Sequence, residues 1–354
     1  MDDRFNTGSG IPPYPSYSSQ STDNAGCILV REPERRELKK NYNTLFTEAI
    51  VHSIGSFILA NIIFIMMMFF GYEFRVNDEG TQIIDIPYEI AGTLPSMLFC
   101  IGIFIFDVVS SRKKLSSYFT GKYITAGWIF GFFGMLMLMY SLSFFVQNIL
   151  ISGCFAMGFS PVSEEYLSES DLSVGFIICE LITTALIAPI AEELMFRGVI
   201  LRRLSSVSQR FAIFFSALIF GLMHGNLIQA VLGFLVGLVL GYAAVKTGSL
   251  LLPIAGHIFI NTFACSTSIV TYLTDTDTAN IYWIGVIGVF AVTGLLTLVV
   301  LLSKKAVSMP YASEYHSRRT FPVIVKCPAF WVLAVVYLVS VVSKFGPVTD
   351  KLME

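Results

Sequence analysis

Nine long apolar runs dominate this sequence, near 46–71, 90–110, 123–150, 173–200, 208–225, 227–245, 250–270, 281–302 and 328–345. About 20 helical residues cross the hydrocarbon core of a bilayer. Lipid offers backbone groups no water, so a spanning segment must satisfy its own hydrogen bonds, as a helix does. Only 14% of the 354 residues are charged and 55% are hydrophobic, whereas soluble domains carry roughly 25% charged residues. The runs therefore predict an all-α fold, a polytopic membrane helix bundle with eight or nine transmembrane helices.

The charges are clustered in a way that orients the bundle. Arg31, Arg35, Arg36, Lys39 and Lys40 precede the first run, and Arg112, Lys113, Lys114 and Lys122 fill the second loop. Arg202, Arg203 and Arg210 follow the fourth run, and Lys304, Lys305, Arg318 and Arg319 follow the eighth. The intervening loops are acidic, with Asp78, Glu79 and Asp85, then Glu164, Glu165, Glu169 and Asp171, then Asp275 and Asp277. Basic loops stay on the cytoplasmic side, so a cytoplasmic N-terminus in the cell membrane is expected, with the last run leaving the C-terminus outside. Residues 1–25, rich in Ser, Pro, Tyr and Gly, bury too little apolar area to order themselves and are expected to form a disordered tail. None of Cys27, Cys100, Cys154, Cys179, Cys265 and Cys327 forms a CxxC pair, and most read as small buried hydrophobes. Gly233, Gly237 and Gly241 recur every fourth residue, a spacing that lets helices approach closely inside the monomer.

Ionisable groups inside a span cost several kcal/mol, so they are usually paired or functional. Three clusters stand out. In "IAPIAEELMFRG", Glu193 and Arg197 are four apart and share a helix face. Glu192 points about 100° away, free to face a cavity. In "FGLMHGN", His224 closes an apolar run that starts at Phe211. In "LLLPIAGHIFIN", His257 and Asn261 share one face, and Pro253, four before His257, is expected to loosen the helix and free a carbonyl. His52 and His316 fall near span ends or in loops and receive no role.

Depth allows the clusters to meet. With a turn near Ser206–Val207 and a rise of about 1.5 Å per residue, Glu192 lies about 22 Å from the turn and His224 about 26 Å. Counted from Lys246, His257 is about 17 Å in and Asn261 about 23 Å.

These residues resemble a known family. Glu192, Glu193 and Arg197 meet EExxxR, Phe220 and His224 meet FxxxH, and His257 and Asn261 meet HxxxN. Order and spacing are similar to the CPBP family, which groups CAAX prenyl endopeptidases with bacteriocin-processing and bacteriocin-immunity membrane proteins. The likeness covers residues 175–265. It implies a helical intramembrane glutamic peptidase with a cytosol-accessible cavity. By position it implies that Glu192 and His224 activate water, that His257 and Asn261 stabilise the oxyanion, and that Glu193 and Arg197 support the first helix. The chain then divides into a tail (1–40), N-terminal helices (41–170), a catalytic core (171–270) and C-terminal helices (271–354).

Such chemistry suits these groups. Peptide hydrolysis needs a base for water, an acid for the leaving amine and donors for the oxyanion. Desolvation raises the proton affinity of a carboxylate toward a useful range. Each oxyanion donor in a low-dielectric pocket lowers the barrier by about 3 kcal/mol. Two Glu and two His also suit zinc, but HExxH is absent and the ligands lie on three separate helices, so no metal and no other cofactor is expected. The rival functions are a non-catalytic scaffold or bacteriocin-immunity factor of the same fold, and a proton-coupled transporter, which the absence of an obvious repeat disfavours. The expected partners are a peptide or protein substrate, with lipidation an option, and membrane lipid. No nucleic-acid partner is expected, and the sequence leaves the oligomeric state open.

Overall fold

The computed structural model describes residues 32–76, 83–122, 124–161, 169–170, 172–205, 208–304 and 321–347. The tail over 1–25, Cys27, Arg31, Asp78, Glu79, Glu164, Glu165, Asp171, the turn at Ser206–Val207, Lys305, His316, Arg318 and Arg319 lie outside the described residues.

Each apolar run becomes a helix. Among the described residues, seven helices are long and apolar enough to cross a membrane: α1 (Glu32–Phe69), α2 (Ile86–Ser110), α3 (Ala126–Ala156), α4 (Val174–Leu204), α6 (Leu227–Thr247), α7 (Leu251–Leu273) and α8 (Thr276–Ser303). Two are shorter, α5 (Gln209–Leu222) and α9 (Pro328–Val342). The protein is an all-α polytopic membrane bundle. Side-chain caps start several helices: Asp85 accepts from Tyr88 N–H, Thr125 from Trp128 N–H, Ser173 from Phe176 N–H and Asn226 from Gln229 N–H.

Two short strand pairs tie the ends together. Ile83–Ile84 pairs in parallel with Glu169–Ser170, before α2 and α4. Phe159–Ser160 pairs antiparallel with Gly346–Pro347, so α3 and α9 finish on the same side although α9 has only 15 residues.

At the opposite end, charges bind the helices. Arg203, at the end of α4, donates to Glu48 of α1 at 2.7 Å and to Asp107 of α2 at 2.6 Å. Asp107 also accepts from Tyr118 at 3.0 Å and Lys113 at 3.4 Å. Burial and the neighbouring Asp107 carboxylate both push the Tyr118 hydroxyl above its ordinary pKa.

Lipid tails are as apolar as leucine, so packing quality, not expulsion of water, joins these helices. One apolar cluster gathers Phe46 of α1, Leu201 of α4, Phe215 of α5 and Tyr337 of α9. A second joins Leu136 of α3, Leu240 of α6, Ile260 of α7 and Phe290 of α8. The glycine stripe of α6 packs within the monomer against α5. A side chain on Gly233 would meet the Gly221 Cα at 3.0 Å, and one on Gly237 the Ala217 Cα at 3.2 Å.

Asp275 caps α8, accepting from the Thr278 amide at 2.8 Å and its hydroxyl at 2.9 Å. These bonds hold its carboxyl below the ordinary value of 3.8, the amide bond contributing most. A depressed carboxylate stabilises the fold above its unfolded pKa and loses that contribution as pH falls through the folded value. Amide exchange at Thr278 is therefore expected to quicken relative to mid-helix amides once the pH drops below 3.8, and an Asp275→Asn variant to show a weaker pH dependence.

Candidate active site

The central helix is not regular. Within α4, the π segments Leu181–Ile187 and Phe196–Leu201 flank an ordinary α segment, Ala188–Met195. That α segment carries Glu192 and Glu193, and Arg197 is the second residue of the second π segment. Single-turn π insertions are rare and gather at functional sites.

Glu193 and Arg197 pair as their spacing implies. Arg197 Nη1 donates to Glu193 Oε1 at 2.7 Å, with both side chains essentially inaccessible. Its Nη2 donates to the Gly237 carbonyl of α6 at 3.3 Å, and its guanidinium lies 4.4 Å from the centre of the Phe220 ring. Glu193 Oε2 is buried with no hydrogen-bond partner.

The turn between α6 and α7 sets the entry of the third motif. Gly248 ends α6 at φ 73°, a left-handed conformation that other side chains resist. Ser249 then donates through its hydroxyl to the Phe119 carbonyl at 2.9 Å, and the Leu250 amide to the Tyr118 carbonyl at 2.9 Å. Pro253 falls in the first turn of α7, where helix amides have no intrahelical acceptor in any case. The expectation that Pro253 loosens the helix is therefore corrected: it helps begin it.

With α7 so placed, His257 stands between the two glutamates. Its Nδ1 lies 3.0 Å from Glu193 Oε1, and its Nε2 lies 3.7 Å from Glu192 Oε2. Because Glu193 Oε1 already accepts a charge-assisted bond from Arg197, Nδ1 is the donor. The second distance exceeds a direct hydrogen bond. His257 is 5% exposed, and Glu192 is only partly buried, with 16% of its side chain open.

His224 joins through an aromatic wall. Its ring and that of His257 both meet Phe220 edge-on, at centroid distances of 5.3 and 5.5 Å. His224 Nδ1 contacts the carbonyls of Phe220 at 3.0 Å and Gly221 at 3.3 Å. A carbonyl only accepts, so Nδ1 is the donor and Nε2 points away from these contacts. Asn261 does not touch the glutamates; its Nδ2 donates to the Thr184 carbonyl at 2.8 Å.

Several residues near this site carried no role in the sequence reading. His52 is not near a span end; it is 4% exposed inside α1, its Nε2 3.1 Å from Ser96 Oγ of α2, and within electrostatic reach of His224. Cys100 of α2 is fully buried and within such reach of Glu192. Glu89 accepts from the Thr184 hydroxyl at 3.1 Å, and Glu180 from Ser268 at 3.3 Å. An available signal was the one used for Glu192: Glu180 lies within an apolar run and Glu89 borders one. Among the described residues, no group of three or more His, Cys, Asp or Glu is arranged to hold a metal ion.

No curated protein and no solved structure matches the chain. The family model described as Type II CAAX prenyl endopeptidase Rce1-like matches residues 174–263, which run from the start of α4 into α7. Over those residues, about a quarter of the sequence, this membrane protein matches the CPBP and CAAX protease family that its three motifs resemble, and the match supports an intramembrane CAAX-type endopeptidase in general.

Proposed function

We propose that the protein hydrolyses a peptide bond near the C-terminus of a CAAX-type substrate, lipidated on its cysteine, with a water activated by Glu192 and His224. The observation that carries this reading is His257 set between two carboxylates, with Nδ1 on Glu193 and Nε2 3.7 Å from Glu192. A separation of 3.7 Å is longer than a direct hydrogen bond, and the proposed water bridges it from one side, at about 2.8 Å from each atom.

In this reading Glu192 takes the water proton as the oxygen attacks the carbonyl carbon. His224 Nε2, across the Phe220 ring, takes the second proton of that water from the tetrahedral intermediate and passes it to the leaving amine as the C–N bond breaks, while Glu192 later releases its proton to solvent. His257 Nε2 and the Asn261 amide face the oxyanion and stabilise it. Glu193 orients His257 through Nδ1, and Arg197 holds Glu193 in place. The basic residues at this end of the bundle, Arg203 and Lys113 among them, support a cytoplasmic N-terminus.

The donor arrangement supports a site that works without a metal. Glu193 is already bonded to Arg197 and His257, so it is not open as a metal ligand. The test uses purified protein in proteoliposomes with a farnesylated C-terminal peptide ending in Cys-aliphatic-aliphatic-X. Release of the C-terminal fragment is expected at the same rate before and after treatment with 1,10-phenanthroline, and more slowly from the unfarnesylated peptide. Loss of cleavage on chelation, restored by added Zn²⁺, would overturn the metal-free reading.

A further inference from the structure

Asn261 lies one turn beyond His257 on α7, and among the described residues it bonds to none of the proposed catalytic side chains; what holds it is a carbonyl of α4. The reason that carbonyl is free lies in the sequence of α4. In the π segment Leu181–Ile187 the backbone bonds run five residues back, and the Ala188 amide donates to the Thr183 carbonyl. The next donor in that register would be residue 189, bonding to Thr184. Residue 189 is Pro, which has no N–H. The Thr184 carbonyl is thus released in the bundle interior, where an unpaired acceptor is costly, and Asn261 Nδ2 meets it at 2.8 Å.

Thr184 is held from its other side. Its hydroxyl donates to Glu89 Oε1, in the first turn of α2, at 3.1 Å. Three helices are therefore joined in one line, Glu89 of α2 to Thr184 of α4 to Asn261 of α7. An Asn amide group has two N–H donors. With one fixed on a backbone carbonyl, the amide plane is set and the other N–H remains for a substrate oxyanion.

We infer that Glu89, Thr184 and Pro189 form a positioning set for Asn261, the π turn supplying the acceptor and Glu89 pinning that turn to α2. The inference rests on the catalytic reading given under Proposed function, and concerns residues that no motif contains. None of the three touches the reacting atoms; they act through the orientation of Asn261. Removing one oxyanion donor costs about 10²–10³ in turnover, and misorienting it costs a part of that.

The test measures kcat and KM of the full-length protein in proteoliposomes with the farnesylated peptide, normalised to folded protein by thermal unfolding. Thr184→Val removes the link to Glu89 but keeps the carbonyl. Pro189→Ala returns a backbone donor that competes with Asn261. Each is expected to lower kcat about ten-fold with KM within about two-fold, and Thr184→Ser to recover most of the loss. In an Asn261→Ala background, Thr184→Val should add no further loss, which a merely structural role would not produce. Should Thr184→Val fail to accumulate, Pro189→Ala in both backgrounds gives the same comparison. Wild-type kcat in Thr184→Val and Pro189→Ala, or full additivity with Asn261→Ala, overturns the positioning set while an inactive Glu192→Gln leaves the catalytic reading standing. Undiminished cleavage by Glu192→Gln overturns both together.

Discussion

Glu192→Gln is expected to lower kcat by about three orders of magnitude while the protein stays folded and KM changes little. General-base catalysis contributes about 10²–10⁴, and Gln matches Glu in size but cannot take a proton. Glu192 is partly open, and its nearest ionic contact among the described residues is the 3.7 Å approach to His257. No buried partner is orphaned by the change, so the melting temperature in detergent micelles should shift little. The pattern to look for is a collapse in kcat beside near-constant KM and stability, the signature of an interaction made in the transition state. A non-catalytic scaffold would keep its biological function in the same variant, and complementation with Glu192→Gln separates the two.

Arg197→Met should do the reverse, with stability as the main casualty. Arg197 is 1% exposed, and its Nη1 is bonded to a Glu193 side chain with no accessible surface. Taking away the guanidinium leaves a carboxylate whose Oε2 has no partner among the described residues and whose Oε1 keeps its contact with His257. Breaking a buried ion pair from one side costs about 3–5 kcal/mol, whereas replacing both partners by neutral groups of similar volume is often tolerated. The double variant Glu193→Gln/Arg197→Met is therefore expected to recover much of the stability lost in Arg197→Met, read by thermal unfolding or protease resistance in micelles. Arg197→Lys should not rescue, since one ammonium cannot at once bond Glu193, bond the Gly237 carbonyl and stack on Phe220. An Arg197→Met protein as stable as wild type would show that the pair does not hold α4 in place.

The runs of apolar residues carried most of the architecture. The expected segment 227–245 is the helix Leu227–Thr247, and 90–110 is the end of Ile86–Ser110. A segment that must bury twenty residues in lipid leaves a signal no loop can imitate. The i,i+4 spacing also carried the Glu193–Arg197 pair, because a single α turn sets it. What depended on more than one helix was hidden. The approach of His257 to both glutamates requires α7 to lie against α4, and nothing in "HIFIN" states its neighbour. The depth estimate assumed one rise per residue, yet α4 contains two π segments. The freed carbonyl was assigned to Pro253, when position within the helix decides the matter. Pro253 sits in a first turn that needs no donor, and Pro189 follows a π turn that does. The apolar run begins at 46 and leaves His52 close to its edge, whereas the helix begins at Glu32 and buries the imidazole well inside.

A site that activates water leaves an isotopic record. Cleavage of the farnesylated peptide by purified protein in H₂¹⁸O, followed by mass spectrometry of the fragment bearing the new carboxylate, tests the Glu192–His257 geometry most directly. The expected result is one ¹⁸O in that carboxylate for the wild-type protein, with product falling by about 10³ in Glu192→Gln. Labelled product from Glu192→Gln equal to that from the wild-type protein would contradict a water held by Glu192.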